Sequence, residues 1–319
     1  MTVRPQPLLI ILGPTATGKS DLALAVAEKL HCEMISGDSM QVYQGMDIGT
    51  AKTPEQERRG IPHHLLDIVT PQTAFSVADF RSLALKAIGD ISNRGHLPLL
   101  VGGTGLYIDS LLYPYHFPEN SGAEPGLRQR LQEDYRELGG ETLHSRLAAV
   151  DPEAAARIHP HDSRRLIRAM EVFESSGQPI SALQKVKKPI AGLRPLIAGL
   201  CLERQQLYQH IDQRVERMVS AGLIEEVENL LAAGVPREGV SMQGIGYRQI
   251  AAYLAGEMGR EEAIALIKRD TRRFAKRQMT WFKRNPMIHW FDIGHYREEG
   301  SLEQAVCAWF AGQLEEECV

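Results

Sequence analysis

The stretch Gly13-Pro14-Thr15-Ala16-Thr17-Gly18-Lys19-Ser20 matches the phosphate-binding pattern G-x-x-x-x-G-K-[ST] at every fixed position. An apolar run at residues 8–12 precedes it, and apolar residues recur at helical spacing over residues 22–30. This order predicts a strand, a glycine-rich turn and a helix. In such a turn the backbone N–H groups and the positive end of the helix converge on an anion. Lys19 adds a positive charge there, and Ser20 offers a hydroxyl to Mg²⁺.

The composition is that of a globular protein. The chain has 319 residues, of which 43% are apolar, which is enough for one large domain or for a core with a smaller unit. No apolar run approaches the roughly 20 residues of a membrane span, so we expect a cytoplasmic protein with no membrane partner. The four cysteines form no C-x-x-C pair, which argues against a zinc ribbon, a redox motif or a disulfide framework.

Positive charge is concentrated near the C-terminus. The formal net charge of the chain is -4, yet residues 268–284 contain eight basic residues and one acidic residue, a local net charge of +7. The basic residues are Lys268, Arg269, Arg272, Arg273, Lys276, Arg277, Lys283 and Arg284. This asymmetry is typical of a surface that binds nucleic acid. The same segment predicts a helix whose apolar seam is Ile267, Phe274 and Trp281.

Polar residues follow two further apolar runs. Asp38 comes just after a predicted strand, and Thr104 follows another strand within Gly102-Gly103-Thr104-Gly105. Ligands of open parallel sheets bind outside the carboxyl ends of the strands, so both side chains should face the crevice of the phosphate loop. Asp38 could be a Mg²⁺ ligand, a general base or a turn residue that binds its own backbone. No acidic residue ends the strand before Thr104, which weakens an ATPase interpretation.

The alternation of strands and helices predicts an α/β fold, in which a P-loop NTPase-like parallel sheet is flanked by helices. Proline and glycine interrupt the pattern near residues 113–126, and every segment from there to about residue 188 is typical of a helix. We therefore predict a catalytic core of residues 1–117 and 189–319, with basic C-terminal helices, and an all-helical insertion domain of residues 118–188. The insertion carries Arg164, Arg165 and Arg168, which either form a solvated face or contact phosphates.

Six motifs together identify a resemblance. They run in order along nearly the whole chain: Gly13-Pro14-Thr15-Ala16-Thr17-Gly18-Lys19-Ser20, Ser36-Gly37-Asp38-Ser39-Met40-Gln41-Val42-Tyr43, Gly49-Thr50-Ala51-Lys52, Val101-Gly102-Gly103-Thr104-Gly105-Leu106-Tyr107, Gln243-Gly244-Ile245-Gly246-Tyr247-Arg248 and Ala275-Lys276-Arg277-Gln278-Met279-Thr280-Trp281. This set resembles the bacterial tRNA dimethylallyltransferase family. The resemblance implies transfer of a dimethylallyl group from dimethylallyl diphosphate to N6 of adenosine 37, beside the tRNA anticodon, with Mg²⁺.

The resemblance and the phosphate loop together give an expected set of site residues. The diphosphate would be bound by Gly13, Thr15, Ala16, Thr17, Gly18, Lys19 and Ser20, with Ser20 also on the metal. The catalytic residues would be Lys19, Asp38, Thr104 and Arg214: Lys19 and Arg214 neutralise charge, Asp38 removes a proton, and Thr104 binds the oxygen between the allyl group and the diphosphate. The anticodon stem-loop of tRNA would be contacted by Asp38, Ser39, Met40, Gln41, Thr104, Arg164, Arg165, Arg168, Gln243, Arg248, Arg273, Lys276 and Arg277. We expect a monomer.

Two other classes of protein share part of this pattern. A P-loop nucleoside or metabolite kinase would use the same strand, loop and helix, but it would not need the basic C-terminal helix. A GTPase-like switch or pure RNA-binding module would need a guanine-recognition sequence, and no N-K-x-D occurs in the chain.

Overall fold

A computed structural model describes residues 5–113, 126–184, 190, 192–299 and 301–316. Its centre is one sheet of six parallel strands, in the order β3-β2-β4-β1-β5-β6. The strands are β1 (Gln6–Leu12), β2 (Cys32–Ser36), β3 (His63–His64), β4 (Leu97–Gly102), β5 (Leu193–Cys201) and β6 (Ile288–Asp292). Because the phosphate loop follows β1, it lies at the carboxyl edge of the sheet between the ends of β4 and β5.

The described part of the chain contains fourteen α-helices. They are α1 (Lys19–Leu30), α2 (Val77–Asn93), α3 (Gly105–Leu112), α4 (Leu127–Leu138), α5 (Gly140–Val150), α6 (Pro152–Ala155), α7 (Ser163–Ser176), α8 (Ile180–Gln184), α9 (Arg204–Ser220), α10 (Leu223–Ala232), α11 (Tyr247–Leu254), α12 (Arg260–Phe282), α13 (Ile293–Glu299) and α14 (Leu302–Glu315). None of these helices combines the length and the apolar character that a membrane span requires. The α/β prediction with a parallel sheet is confirmed.

Burial on both faces of the sheet explains the continuous apolar run of β1. All five residues from Leu8 to Leu12 are fully buried. Successive residues of a strand point to opposite faces, so both faces must be covered. Val26 of α1 and Phe310 of α14 pack with Leu9 and Ile11 in one core cluster.

Contacts between residues divide the chain into two compact units, residues 1–112 with 191–319, and residues 113–190. In the second unit, every described element is a helix, α4 to α8. These helices enclose a core of their own that includes Leu131, Leu147 and Leu166. The boundaries predicted from the sequence, at residues 118 and 188, lie outside the described residues and stay predictions. The Asp162 side chain caps α7, as its position before the helix predicts, by accepting a hydrogen bond from the Arg165 amide at 3.2 Å.

Candidate active site

The phosphate loop has a backbone shape that depends on particular residues. Gly13 lies against β5, where a Cβ atom would lie only 2.7 Å from the Leu200 carbonyl oxygen. Gly18 adopts a left-handed conformation with φ 72°, directly before α1. Ala16 has φ 66°, a conformation that costs free energy in a residue with a side chain. The loop is therefore held in a cradle shape by its surroundings, as an anion-binding turn requires.

Two side chains close this loop internally. The Thr17 hydroxyl donates to the Pro14 carbonyl at 2.8 Å, and the Lys19 ammonium donates to the same oxygen at 2.7 Å. Lys19 and Ser20 form the first turn of α1, where free backbone N–H groups favour an anion. The loop residues predicted to bind diphosphate thus share one short turn.

Lys19 lies in an unfavourable environment for a cation. Burial, together with the positive charge of Arg214, lowers the pKa of Lys19 to about 7, and the carboxylate of Asp38 only partly opposes this. Arg214 is similar, since burial lowers its pKa while Asp38 opposes the shift. Lys19, Arg214 and Asp38 therefore form one electrostatic cluster, since each of the two cations interacts with the carboxylate. An added anion would stabilise both cations.

Asp38 forms the turn that its position after β2 allows. Its Oδ1 accepts a hydrogen bond from the Met40 amide at 2.9 Å, which is an Asx turn. The other carboxylate oxygen has no hydrogen-bond partner among the described residues. The described residues also contain no group of three or more His, Cys, Asp or Glu side chains that could hold a metal ion. The turn role of Asp38 is therefore observed, whereas its roles as a general base or Mg²⁺ ligand stay predictions.

The loop after β4 contacts the loop after β2. The Thr104 hydroxyl oxygen accepts a hydrogen bond from the Ser39 amide at 3.1 Å, and the Thr104 amide donates to the Gly37 carbonyl at 3.3 Å. Gly102 lies so close to Gly37 that a Cβ atom would lie 2.4 Å from its backbone. The two strand ends that the sequence placed at one edge therefore meet through backbone contacts.

Sequence reasoning missed Gln278 as part of the site. This buried residue of α12 accepts a hydrogen bond from the Thr15 amide at 3.0 Å and donates to the Gly103 carbonyl at 2.9 Å. It thereby ties the phosphate loop to the loop that contains Thr104. The sequence feature that could have indicated its role is that Gln278 is an uncharged polar residue among the cations of the last motif. Its partners could not have been identified in this way, because they are far away in sequence.

The apolar seam predicted for α12 needs correction. The buried residues of this helix are Ala263, Ile267, Ala275, Gln278 and Phe282. Phe274 is only half-buried and Trp281 is 39% exposed, with its indole N–H donating to Asp109 at 2.9 Å. A seven-residue spacing drifts by about 20° per repeat around a straight α-helix, so the third member of such a series leaves the buried face.

Gln41 and Met40 are held by the protein. The Gln41 side chain accepts from the Ser36 hydroxyl at 2.9 Å and donates to the Thr50 carbonyl at 3.3 Å. Met40 is half-buried and packs against a core cluster, and its terminal carbon lies where a Gly244 Cβ would come within 2.8 Å. Arg214 of α9 also reaches the Thr50 carbonyl, at 3.5 Å.

Four of the basic residues of α12 form two groups with different environments. Lys268 pairs with Glu216 of α9, and Arg272 pairs with Asp212 at 2.6 Å. Lys276 and Arg277 are exposed. The first group therefore holds two helices together, whereas the second is available at the surface.

Asp270 interacts with two residues predicted to contact RNA, Arg248 and Arg273, and with Arg269. It accepts hydrogen bonds from Arg248 at 2.7 Å and Arg269 at 3.1 Å, and Arg273 lies 3.7 Å away. Burial works against its charge, but the bonds from Arg248 and Arg269 hold the pKa of Asp270 below its ordinary value. Gln243 instead donates to the Arg237 carbonyl at 3.1 Å.

The three arginines of α7 have different environments. Arg164 and Arg165 are exposed, and Arg165 lies 3.4 Å from Asp162. Arg168 is half-buried and donates to Glu171 at 3.0 Å. Arg164 also lines an open pocket of the helical unit, together with Arg128, Gln132, Tyr135, Arg136, Ser163 and Ile167.

Comparison with known proteins extends these observations over the whole chain. A family model described as IPP transferase matches residues 41–285, and one described as isopentenyl transferase matches residues 6–71. A tRNA dimethylallyltransferase of Pelotomaculum thermopropionicum is 47% identical over 311 residues, which cover 98% of this chain and 98% of that protein. The corresponding protein of Bacillus subtilis is 45% identical and covers 97% of this chain and 98% of its own length.

Solved structures have the same fold. The tRNA isopentenylpyrophosphate transferase of Staphylococcus epidermidis superposes with a TM-score of 0.71 at 38% identity, over 98% of this chain and 99% of that one. A eukaryotic dimethylallyltransferase acting on tRNA superposes with a TM-score of 0.79 at 29% identity, over 90% of this chain and 74% of that one. The family models, the relatives and the superpositions agree, and the chain belongs to the IPP transferase family.

Proposed function

We propose that this chain is a tRNA dimethylallyltransferase, which moves a dimethylallyl group from dimethylallyl diphosphate to N6 of adenosine 37 beside the tRNA anticodon. The observation that carries the proposal is the grouping of Lys19, Arg214 and Asp38 at the sheet edge, next to the loop of Thr104. The names of relatives at 45–47% identity over nearly the full length support the same reaction.

In this proposal the phosphate loop binds the leaving group. The C–O bond to the diphosphate breaks and its electron pair stays on the diphosphate oxygen. Loop amides, Lys19 and Arg214 would stabilise the charge that develops there. Thr104 would donate a hydrogen bond to the oxygen that leaves. Since the Lys19 ammonium now donates to the Pro14 carbonyl, it has only to turn toward a bound phosphate.

Asp38 would act on the nucleophile. The adenine N6 nitrogen forms the new bond to carbon, and one of its protons moves to the Asp38 oxygen that the Asx turn leaves free. A lone pair delocalised into the adenine ring is a weak nucleophile, so a base in this position is worth roughly 10²- to 10⁴-fold in rate. The target base would be turned out of the anticodon loop, which costs less in a loop than in a duplex.

Mg²⁺ fits the donor chemistry of this loop. The ion usually keeps several waters and binds through one or two protein oxygens together with substrate phosphates. Ser20, in the first turn of α1, supplies one such hydroxyl oxygen. When bound, the ion would supply charge neutralisation on the diphosphate.

Transfer RNA would bind through the exposed cations of α12, Lys276 and Arg277 with Arg273, and through Arg164 and Arg165 of the helical unit. Such contacts position the RNA through its phosphates. A tRNA substrate is consistent with the predicted location of the protein in the cytoplasm. The expectation of a monomer stays a prediction.

The proposal is tested by product analysis. Labelled dimethylallyl diphosphate, Mg²⁺ and an unmodified tRNA transcript are incubated with the protein, and the RNA is digested to nucleosides. We expect the label in N6-(dimethylallyl)adenosine, and none when guanosine replaces adenosine 37. Absence of labelled nucleoside, with transfer of phosphate from ATP to a small acceptor in the absence of tRNA, would instead support the kinase alternative.

The variant Lys19→Ala tests the role of the Lys19 ammonium in catalysis. Its ammonium would contact the leaving group most strongly in the transition state, so we expect kcat to fall by roughly 10²-fold or more. Affinity for tRNA, measured by filter binding, should barely change. A variant with normal kcat and weakened tRNA binding would assign the loop to RNA recognition.

A further inference from the structure

Two of the six motifs have no role in the proposed chemistry, yet one carboxylate joins them. Glu226 of α10 points at the turn that leads into the motif at residues 49–52. Its Oε2 accepts hydrogen bonds from the Asp47 amide at 2.9 Å and the Ile48 amide at 2.7 Å, and its Oε1 accepts from the Gly49 amide at 3.1 Å. Three successive backbone N–H groups therefore converge on one anion.

The motif at residues 243–248 supplies the fourth donor. The Tyr247 hydroxyl donates to Glu226 Oε1 at 2.6 Å, and Tyr247 is almost fully buried. Burial and the charge of Glu226 raise the pKa of Tyr247, so its hydroxyl stays a donor. The ring leaves no room for a side chain at Gly49, since a Cβ atom there would lie 2.5 Å from the ring carbons. The two motifs thus fit each other sterically and through Glu226.

The turn that Glu226 holds carries an acceptor for the active site. The Thr50 carbonyl lies directly after Gly49 and is within reach of Arg214 at 3.5 Å and of Gln41 at 3.3 Å. On its other side the turn is fixed by Lys52, a buried cation. The Lys52 ammonium contacts Asp47 Oδ1 and Asp67 Oδ1, both at 2.5 Å, and the Tyr43 carbonyl at 3.0 Å.

Arg214 gains from such an acceptor because Lys19 is a second cation in its surroundings, and Asp38 only partly opposes the pKa shifts of both. Lys19 and Arg214 repel each other, and the described ion pairs include no carboxylate that contacts the Arg214 guanidinium. A neutral carbonyl at a fixed place orients a guanidinium without cancelling its charge. If the turn moved, the Arg214 guanidinium would lose its contact with the Thr50 carbonyl. It would then be poorly oriented toward the diphosphate.

We propose that Glu226 is a positioning residue for Arg214, acting through the backbone of residues 47–50 and locked in place by Tyr247. The inference rests on the proposed function, since the alignment matters for departure of the diphosphate. Glu226 itself touches no substrate.

Glu226→Gln tests this most directly, because the amide has nearly the same shape but presents an NH₂ group to backbone N–H donors. With both substrates saturating, we expect the single-turnover rate to fall on the order of tenfold, because a misaligned catalytic group stabilises the transition state less well. The dissociation constant for tRNA should stay within twofold. The matched control is Glu225→Gln, which removes the same charge from the same turn of α10 at an exposed position and should leave the rate unchanged.

A second comparison separates positioning from a general loss of stability. In an Arg214→Gln background the cation to be aligned is gone, so adding Glu226→Gln should slow transfer by less than twofold. Tyr247→Phe, which removes one hydrogen bond and keeps the carboxylate, should slow the wild-type background several-fold if Glu226→Gln does not fold.

Equal slowing by Glu226→Gln in both backgrounds would overturn the inference. Wild-type rates in both Glu226→Gln and Tyr247→Phe would overturn it as well. Failure of the unaltered protein to transfer the dimethylallyl group would contradict the proposed function instead, so the two are distinguishable.

Discussion

At the scale of single residues, the site contains more positive than negative charge, and an anionic substrate would neutralise the excess. Lys19 and Arg214 are two partly buried cations, and Asp38 is the carboxylate that opposes both of their pKa shifts. With its pKa lowered to about 7, Lys19 is only partly protonated at neutral pH. An arriving diphosphate would favour its charged form, so binding and protonation should be linked.

This linkage gives a prediction for binding of inorganic diphosphate. At pH 7.5, we expect the protein to take up between about half a proton and one proton at Lys19 for each diphosphate bound. The sign follows from the lowered pKa: affinity should decrease as pH rises through about 7, because Lys19 must then be recharged. Titration calorimetry in two buffers of different ionisation enthalpy measures the uptake.

Lys19→Met is the control for that measurement, because protons exchanged by the diphosphate itself occur in both proteins. The difference between the two uptakes isolates Lys19. Equal uptake by both proteins would mean that Lys19 already carries its proton before the ligand binds.

Some of this site could be predicted from sequence, since a fixed motif places Lys19 and Ser20 and a strand end places Asp38. The internal bonds could not. Gln278 contacts Thr15 across 263 positions of sequence, and no local pattern specifies such a pair. Its polarity was visible, but a glutamine among cations is typical of a solvated helix face.

At the scale of elements, α12 performs two tasks at different positions along its length. Lys268 and Arg272 pair with acidic residues of α9, whereas Lys276 and Arg277 are exposed. The net charge of +7 over residues 268–284 therefore overstates what this segment offers to RNA. Counting charges along a sequence cannot distinguish these tasks, because the neutralising carboxylates belong to another helix.

The division predicts different salt dependences for two arginine variants. Arg277→Gln should weaken tRNA binding and reduce the slope of log K against log salt concentration by about 0.7 to 1, as expected for one lost phosphate contact. Arg272→Gln should change the slope much less and lower thermal stability instead, since it breaks the pair with Asp212. An unchanged slope in Arg277→Gln would mean that Arg277 is a solvated surface residue that contacts no phosphate.

At the scale of the whole molecule, separate parts of the chain converge on one edge of the sheet. Three neighbouring strands, β2, β4 and β1, deliver Asp38, Thr104 and Lys19. The rule that ligands bind at the carboxyl ends of parallel strands predicts this arrangement from the sequence. Gln278 of α12 and Glu226 of α10 hold the loops at this edge through hydrogen bonds to their backbone. Because these contacts join distant parts of the chain, only the folded structure shows them.

The central claim is that this edge performs base-assisted prenyl transfer, and Asp38→Asn tests it most directly. Asparagine keeps the oxygen that accepts from the Met40 amide at 2.9 Å, so the turn should persist, but it cannot take a proton from adenine N6. With saturating dimethylallyl diphosphate and tRNA, we predict a single-turnover transfer rate lower by on the order of 10²-fold or more, with both substrates bound normally. A wild-type rate in Asp38→Asn would contradict the account and leave Asp38 a turn residue.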